Sequence, residues 1–478
     1  MILKLLKIKI YNMFKFLIIL SLYSGLIYWI SYRKKGDHIN YYQINTKIPV
    51  IVLAFSIFAT LLSPISFLTL VDNSYTGNLY LWFAQCGIFI AIPLAHQYFL
   101  PLYLKRNYTT AYHILEDKFQ SNIIRSIASS LFIVYQLGRI AVITYLLSQA
   151  LQTFISINQI LLSGLILLFT VYYLTKGGLL VVIWTDFLQG LILIAILALF
   201  IPKIINSESI ATQYNNLSQI IEKIDLNSII LLIIGSGLST LFTYVSSQDI
   251  VQRFNSKINN NKIIKTLWLQ GFLSLGIASL LYLIGLLIRN QNFINASTNS
   301  ILMTYTKEKL STLFSGLLMV ALLAAGQSTI SSSINAIVTC LKFDFTYLKI
   351  KLSPSKTSFI ITLISWIICI ILMNSQIYSI YQWINGFMGM TLGLIGGLYI
   401  IILIIKKPTF KIANIYLILT LSSLIIYNYS NLFSNPNPWL NSIIASTFAI
   451  SISIVIKLSK IPSNRKKHRS ICQNFKPN

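Results

Sequence analysis

The sequence predicts an all-α polytopic membrane protein, and three observations predict it. Of 478 residues, 55% are hydrophobic and only 10% are charged, a composition too apolar and too charge-poor for a soluble domain. Apolar runs recur along the whole chain, each near the roughly 17 to 25 residues that cross a bilayer as a helix. The 37 Lys and Arg behind a net charge of +26 fall almost entirely in short connectors between those runs, which marks topology rather than a nucleic-acid surface. No nucleic-acid partner is expected.

About thirteen transmembrane helices follow in order. The basic stretch Met1 to Lys15 precedes the first run, Phe16 to Tyr32; no small-residue cleavage site follows, so the run reads as a retained helix rather than a signal peptide. The next runs are Pro49 to Val71, Leu79 to Leu104, Ile124 to Leu151, Gln159 to Leu174 and Leu179 to Ile201. The second half supplies Ser228 to Val245, Thr266 to Ile288, Ser311 to Ile337, Ser358 to Met373, Ile380 to Ile405, Ile412 to Ile426 and Leu440 to Ile456. The longest polar connectors, about Asn206 to Asn227 and Asn290 to Leu310, are too short to fold alone.

Lys and Arg are retained on the cytoplasmic side of short loops. Alternate connectors carry most of them, including Arg33, Lys34, Lys35 and Lys47, then Lys105, Arg106 and Lys118, then Arg253, Lys257, Lys262 and Lys265. The intervening connectors carry few and add Glu208, Glu222, Asp225 and Glu308. An odd helix count then sets the N-terminus outside and the tail, with Arg465, Lys466, Lys467 and Arg469, in the cytoplasm. Cys86, Cys340, Cys369 and Cys472 lack CxxC spacing and a histidine cluster, so free thiols and no structural metal are expected.

Two ionisable side chains stand well inside the predicted spans, Arg139 and Asp186. Each costs roughly 2.5 kcal/mol or more at a helix centre, so each needs a partner, a cavity or an ion. A structural Arg–Asp pair between them is the plain alternative to function. Pro64 interrupts the second span and removes a backbone donor, freeing carbonyls near mid-membrane; from that residue alone a simple kink is the simpler reading. In the ninth span, Ala325, Ser328 and Thr329 share one helical face, while Ser328, Ser331 and Ser332 share its neighbour. Small hydroxyl residues serve plain helix packing equally well. A hard monovalent cation takes several oxygen ligands, which carbonyls of Ala59, Leu62 and Ala325 with hydroxyls of Ser328 and Thr329 could supply if the second and ninth spans touch.

At these residues the chain resembles the sodium:solute symporter family, from about the second span to the eleventh. Six stretches carry the likeness in family order: Phe58 to Phe67 (FATLLSPISF), Thr109 to Phe119 (TTAYHILEDKF), Gly138 to Tyr145 (GRIAVITY), Gly177-Gly178 with Val182 to Gly190 (VIWTDFLQG), Ser247 to Arg253 (SQDIVQR), and Ala324 to Asn335 (AAGQSTISSSIN). The resemblance implies a five-plus-five inverted-repeat core of the LeuT type with alternating access. It divides the single membrane domain, 1–478, into an extra N-terminal helix and loop (1–47), the core (48–405), and two C-terminal helices with a basic tail (406–478).

The resemblance also implies ligands. In the family the broken first core helix and the serine-rich helix build the main sodium site, which falls here on Ala59, Leu62, Ala325, Ser328 and Thr329. Members resembling bacterial sialic acid symporters bind a second sodium, and the matching residues are Asp186, Ser328, Ser331 and Ser332. In that subgroup an arginine grips the substrate carboxylate; Arg139 holds its position, with Ser63, Ser66 and Gln85 at other substrate-facing places. Leu61 and Leu81 depart from the subgroup's hydroxyl and aromatic residues, and Asp249, bordering a charged loop, is expected to be solvated.

The expectation is therefore a sodium-coupled symporter, monomeric, in a bacterial inner membrane, importing a carboxylated sugar. Rivals are a same-family carrier of an amino acid, monocarboxylate, neutral sugar or vitamin, and a membrane sensor that binds without translocating. The sensor usually carries an appended signalling domain, whereas about twenty residues follow the last span. An enzyme is not expected, since no His/Asp/Glu cluster has catalytic spacing.

Overall fold

The computed structural model describes residues 2–34, 41–44, 46–104, 108–205, 225–254, 260–291, 293, 300–345, 352–374, 380–429, 437 and 439–459. Residues 206–224, most of the longest connector, and the basic tail after 459, on which part of the orientation argument rests, lie outside the described residues, as does Cys472. Cys86, Cys340 and Cys369 are free thiols.

Helix α1 spans Ile2–Arg33. The second expected span is two helices, α2 (Val50–Leu61) and α3 (Pro64–Thr76), set 71° apart. This is a break rather than the kink that Pro64 alone suggested. Leu62 and Ser63 are both extended, with ψ of 107° and 159°. Pro64 takes the first helical position of α3, where its missing N–H costs nothing. The Ser63 hydroxyl then accepts from the Ser66 amide at 3.2 Å and caps the new helix.

The third span is segmented into α4 (Tyr80–Cys86), α5 (Ile88–Leu94), a π-helical turn over Ala95–Phe99 and α6 (Leu100–Leu104). A short α7 (His113–Phe119) precedes α8 (Asn122–Gln152), α9 (Gln159–Leu174) and α10 (Gly178–Ile204). The second half opens with α11 (Leu226–Ser246) and a seven-residue α12 (Gln248–Phe254), separated by Ser247 with ψ of 113°. This second break falls at the corresponding place in the second predicted repeat, and no proline marks it. Expected as the end of a span and the start of a loop, Gln248 to Phe254 is instead a wholly buried helix. Then come α13 (Asn260–Asn290), α14 (Ile301–Lys309), α15 (Thr312–Phe343), α16 (Pro354–Met373), α17 (Ile380–Ile404), α18 (Phe410–Tyr429) and α19 (Leu440–Ser459).

Among the described residues nine helices are long and apolar enough to cross a membrane, ten with the broken α2/α3 pair. The expected count of thirteen is not reached by that measure: Gln159–Leu174 and the described piece Gly389–Ile404 are apolar but shorter. Leu22, Leu168, Leu363, Ile371, Ile418 and Leu458, on five helices, point outward, an apolar exterior that suits lipid.

Helix α15 is the axis of the bundle. In its apolar window 83% of residues are buried, against 28–56% in the other spans, so its serines face protein on every side. It packs against α1, α2, α8 and α10. Tyr23 of α1 donates to Gln327 of α15 at 2.8 Å and accepts from Gln189 of α10 at 3.0 Å, which ties the extra helix to the core.

Glycines in the seventh and eleventh spans, Gly235, Gly237, Gly386, Gly389, Gly393, Gly396 and Gly397, fit bending or close packing equally well as sequence. The contacts favour packing. A Cβ on Gly87 would stand 2.5 Å from the Gly237 amide nitrogen, and one on Gly396 would stand 2.2 Å from the Phe242 ring. Replacing Gly87 by Ala must push α11 away from the α4–α5 junction, an overpacking cost of about 1–3 kcal/mol. Thermal unfolding of the detergent-solubilised G87A protein should show a lower midpoint; an unchanged midpoint would mean that the helices separate freely.

Candidate functional site

The two expected partners meet. The Ser328 hydroxyl donates to the Ala59 carbonyl at 2.6 Å, and the Thr329 hydroxyl donates to the Thr60 carbonyl at 3.2 Å. Both hydroxyls also lie 3.1 Å from the Ala325 carbonyl of their own helix. Because α2 stops at Leu61, the carbonyls of its last turn have no following helical N–H to accept from, and α15 supplies hydroxyls in their place. Ala59, Ala325, Ser328 and Thr329 thus converge, with Leu62 in extended conformation one step along the break. Neutral oxygens from carbonyls and hydroxyls, without a carboxylate, make a donor set suited to a hard monovalent cation.

The plain alternative, an Arg139–Asp186 pair, does not form. Asp186 pairs with Arg253 at 2.9 Å, and Arg139 pairs with Asp249 at 3.1 Å. Asp249 is therefore not solvated: it is completely buried, and so, at 1% exposure, is Arg253, which the charge pattern places among the loop residues that set topology. Both sit on α12, one helical turn apart, and the Arg253 guanidinium also donates to the Asp249 carbonyl. The signal missed was polar density. Ser246, Ser247, Gln248 and Asp249 in succession suit a helix break inside protein better than a membrane exit.

Around Asp186 the residues expected to hold a second ion are partly committed. Its Oδ2 accepts from Ser56 at 2.9 Å, Ser332 at 3.3 Å and Arg253 at 2.9 Å, while Arg253 also donates to Ser332 and to Thr60 Oγ1, each at 2.7 Å. The Ser331 hydroxyl donates to the Ser328 carbonyl at 3.2 Å. Asp186 Oδ1 is buried and accepts no hydrogen bond. A buried carboxylate oxygen left bare is costly, and it stands as an open acceptor for a cation.

On the α3 side of the break lies a cavity of about 220 Å³ lined by Leu61, Leu62, Ser66, Gln85, Gln270 and Trp439 among others. Of the expected substrate residues, Ser66 and Gln85 line it. Ser63 hydrogen-bonds Ser66 at 3.1 Å from beside it. Arg139 does not line the cavity; it donates to the carbonyl of Thr60, next to the lining Leu61, at 2.9 Å. Leu81 is absent from the wall. Ser236, Ser239, Thr240 and Thr243 complete it from α11. Their spacing of three, four and seven residues places them on one helical face, a polar stripe that helical periodicity alone could have found.

A clamp holds α12 in place. The Ala111 amide donates to the Gln248 side chain at 2.7 Å, and the Tyr112 hydroxyl donates to the Ser246 carbonyl at 2.9 Å. Beside it Arg125 bridges Glu116 at 2.6 Å and Asp344 at 2.7 Å. The Thr109 to Phe119 stretch thereby fixes the second break.

A broken helix heading the core, freed carbonyls facing a hydroxyl-bearing helix and a polar cavity beside the break together define an ion-coupled secondary transporter of the inverted-repeat class. The sodium:solute symporter family model matches residues 41–399, and the chain belongs to that family. It is thus a sodium-coupled membrane carrier of a small solute, not an enzyme. Among curated proteins it is similar to the sodium/sialic acid symporter NanT of Aliivibrio fischeri, 28% identical over 80% of each chain. It is equally similar to SiaT of Proteus mirabilis, at 28% identity over 85% of this chain and 86% of the relative. The fold superposes on a solved substrate-bound outward-open sodium-coupled sialic acid symporter with a TM-score of 0.80, 24% identity and coverage of 92% and 97% of the two chains. A more distant likeness is to MhsT in complex with L-phenylalanine, TM-score 0.54 at 12% identity.

The Arg253–Asp186 pair should respond to truncation as a unit. Arg253→Ala leaves Asp186 buried without its cation, a loss of about 3–5 kcal/mol, and the double change with Asp186→Ala should recover much of it. A double-mutant cycle of thermal unfolding in detergent measures this; additive losses would show that the two side chains act separately.

Proposed function

We propose that the chain imports a carboxylated sugar of the sialic acid type together with sodium. What supports this most is the apposition of Ser328 and Thr329 with the Ala59 and Thr60 carbonyls, beside a polar cavity, in a chain similar along most of its length to two sialic acid symporters. Ala59, Leu62, Ala325, Ser328 and Thr329 are the proposed ligands of the main sodium. Ligand oxygens at about 2.4 Å from a cation stand about 3.4 Å apart when at right angles. Ser328 Oγ and Ala59 O are 2.6 Å apart, so sodium entering between them has to part α2 from α15 by under about 1 Å. That shift lies at the head of the broken helix whose outer turn carries Ser63 and Ser66, and it is how the ion prepares the solute pocket completed by Gln85 and Arg139.

A second sodium is proposed at Asp186 with Ser328, Ser331 and Ser332, on the ground that Asp186 Oδ1 lacks a partner. The orientation follows the loop charges: α3 and the cavity face outside, α2 and the tail face the cytoplasm. In that frame the two buried ion pairs close the cytoplasmic side while the cavity lies on the external side, as suits a carrier waiting for solute. The membrane potential then drives each sodium inward with about 2.3 kcal/mol per 100 mV. The residue limits 1–47, 48–405 and 406–478, the bacterial inner membrane and a monomeric state belong to the same proposal.

Uptake of labelled sialic acid into proteoliposomes under an inward sodium gradient tests the reading. Accumulation should vanish when potassium replaces sodium, and Ser328→Ala should cut it by about tenfold or more, the factor that follows from losing roughly 1.4 kcal/mol at an ion ligand. Asp186→Asn should turn a sigmoidal sodium dependence hyperbolic. Sodium-independent uptake, or no competition by sialic acid, would remove the proposed cargo.

A further inference from the structure

The proposed clamp on the solute carboxylate already holds a carboxylate. Arg139 donates from Nη1 to Asp249 Oδ2 at 3.1 Å and from Nη2 to the Thr60 carbonyl at 2.9 Å. We propose that Asp249 is an internal competitor of the solute: binding is an exchange in which the incoming carboxylate takes Arg139 from Asp249, and release is the reverse. The inference rests on the proposed role of Arg139.

Three observations make this pair exchangeable. Each partner keeps an anchor when the pair opens, Arg139 through the Thr60 carbonyl and Asp249 through the Ser247 hydroxyl, which donates to Oδ1 at 2.5 Å. The neighbouring Arg253–Asp186 pair is held differently, since Arg253 is also bonded to Ser56, Thr60 and Ser332 and has nowhere to turn. Finally, access is one-sided: the Arg139 side chain retains 7% exposure while that of Asp249 retains 1%. Arg139 is thus the more exposed partner of the pair. A guanidinium offers five donors in a planar fork, so a bidentate solute carboxylate can win it from a singly bonded Asp249.

The exchange supplies selectivity and return. A neutral solute gives Arg139 nothing to replace Asp249, and opening a buried pair without replacement is strongly unfavourable, so anionic solutes are admitted preferentially. At release, recapture of Arg139 by Asp249 expels the carboxylate. The Thr60 carbonyl accepts from both Arg139 and Thr329, so the exchange is felt one residue from the proposed sodium ligand Ala59.

Calorimetric binding of sialic acid and of its methyl ester to the full chain in sodium-containing detergent, with uptake in proteoliposomes, tests the proposal. Asp249→Asn frees Arg139 and should tighten the acid by about tenfold with little change for the ester, as expected for removal of a close competing charge; maximal uptake should fall because release loses its competitor. Arg139→Ala should erase the acid–ester difference. Unchanged or weaker acid binding in D249N, with R139A behaving as expected, overturns the exchange and leaves the clamp standing. Retained discrimination in R139A, or no binding of the acid by the unaltered chain, removes the solute reading and the exchange together. Should D249N fail to fold, Ser247→Ala gives the opposite sign: it strips the anchor that Asp249 keeps, so the acid weakens several-fold and the ester does not. Equal acid binding in S247A and the unaltered chain then overturns the proposal.

Discussion

Every part of this site depends on carbonyl groups that a helix has given up inside the membrane. Where α2 ends at Leu61, the oxygens of Ala59 and Thr60 cannot be satisfied by the chain ahead of them, and lipid offers no water to do it. The hydroxyls of Ser328 and Thr329 take that role. This one shortfall of hydrogen bonding fixes α15 against α2, accounts for hydroxyl residues on a helix enclosed by protein, and leaves oxygens grouped in the way a small cation requires. The contacts that satisfy the fold are those that an ion at the proposed site would replace.

The second break repeats the solution with charge added. At Ser247 the chain opens again, and the short α12 carries Asp249 and Arg253 into the interior. Four charges then lie within the bundle as two crossed pairs, each joining α12 to another helix: Arg139 of α8 to Asp249, and Asp186 of α10 to Arg253. In a low-dielectric interior such pairs persist only with further hydrogen bonds to share the cost of desolvation, which Ser56, Thr60, Ser247 and Ser332 provide. The Ala111 to Tyr112 turn holds the break from behind, so the polar cluster is braced against a defined scaffold.

Thr60 is where these systems join. Its carbonyl accepts from Thr329 and Arg139, and its hydroxyl lies between Arg253 and Ser332. The proposed ion site, the proposed solute arginine and both ion pairs therefore share one residue in the last turn of α2. A displacement of that turn cannot be confined to one of them, because a buried polar group must exchange one partner for another rather than lose it. An ion and a solute bound at the proposed sites would thereby share a physical route through one helix turn.

The membrane class, the order of the spans and the meeting of Ala59 with Ser328 across the first break were legible in the sequence. They follow from local rules: apolar length sets a span, Pro64 stops a helix, and three- and four-residue spacing puts Ala325, Ser328 and Thr329 on one face. What the sequence could not give was partnership between charges. Arg139 and Asp186 read as the two intramembrane charges, while Asp249 and Arg253 read as loop residues, because a break without proline looks like the end of a span. Only the tertiary structure, by folding α12 back into the bundle, decided that these four charges are buried together and which acid meets which base. Pairing depends on distances across helices remote in the chain, and local spacing carries no information about them.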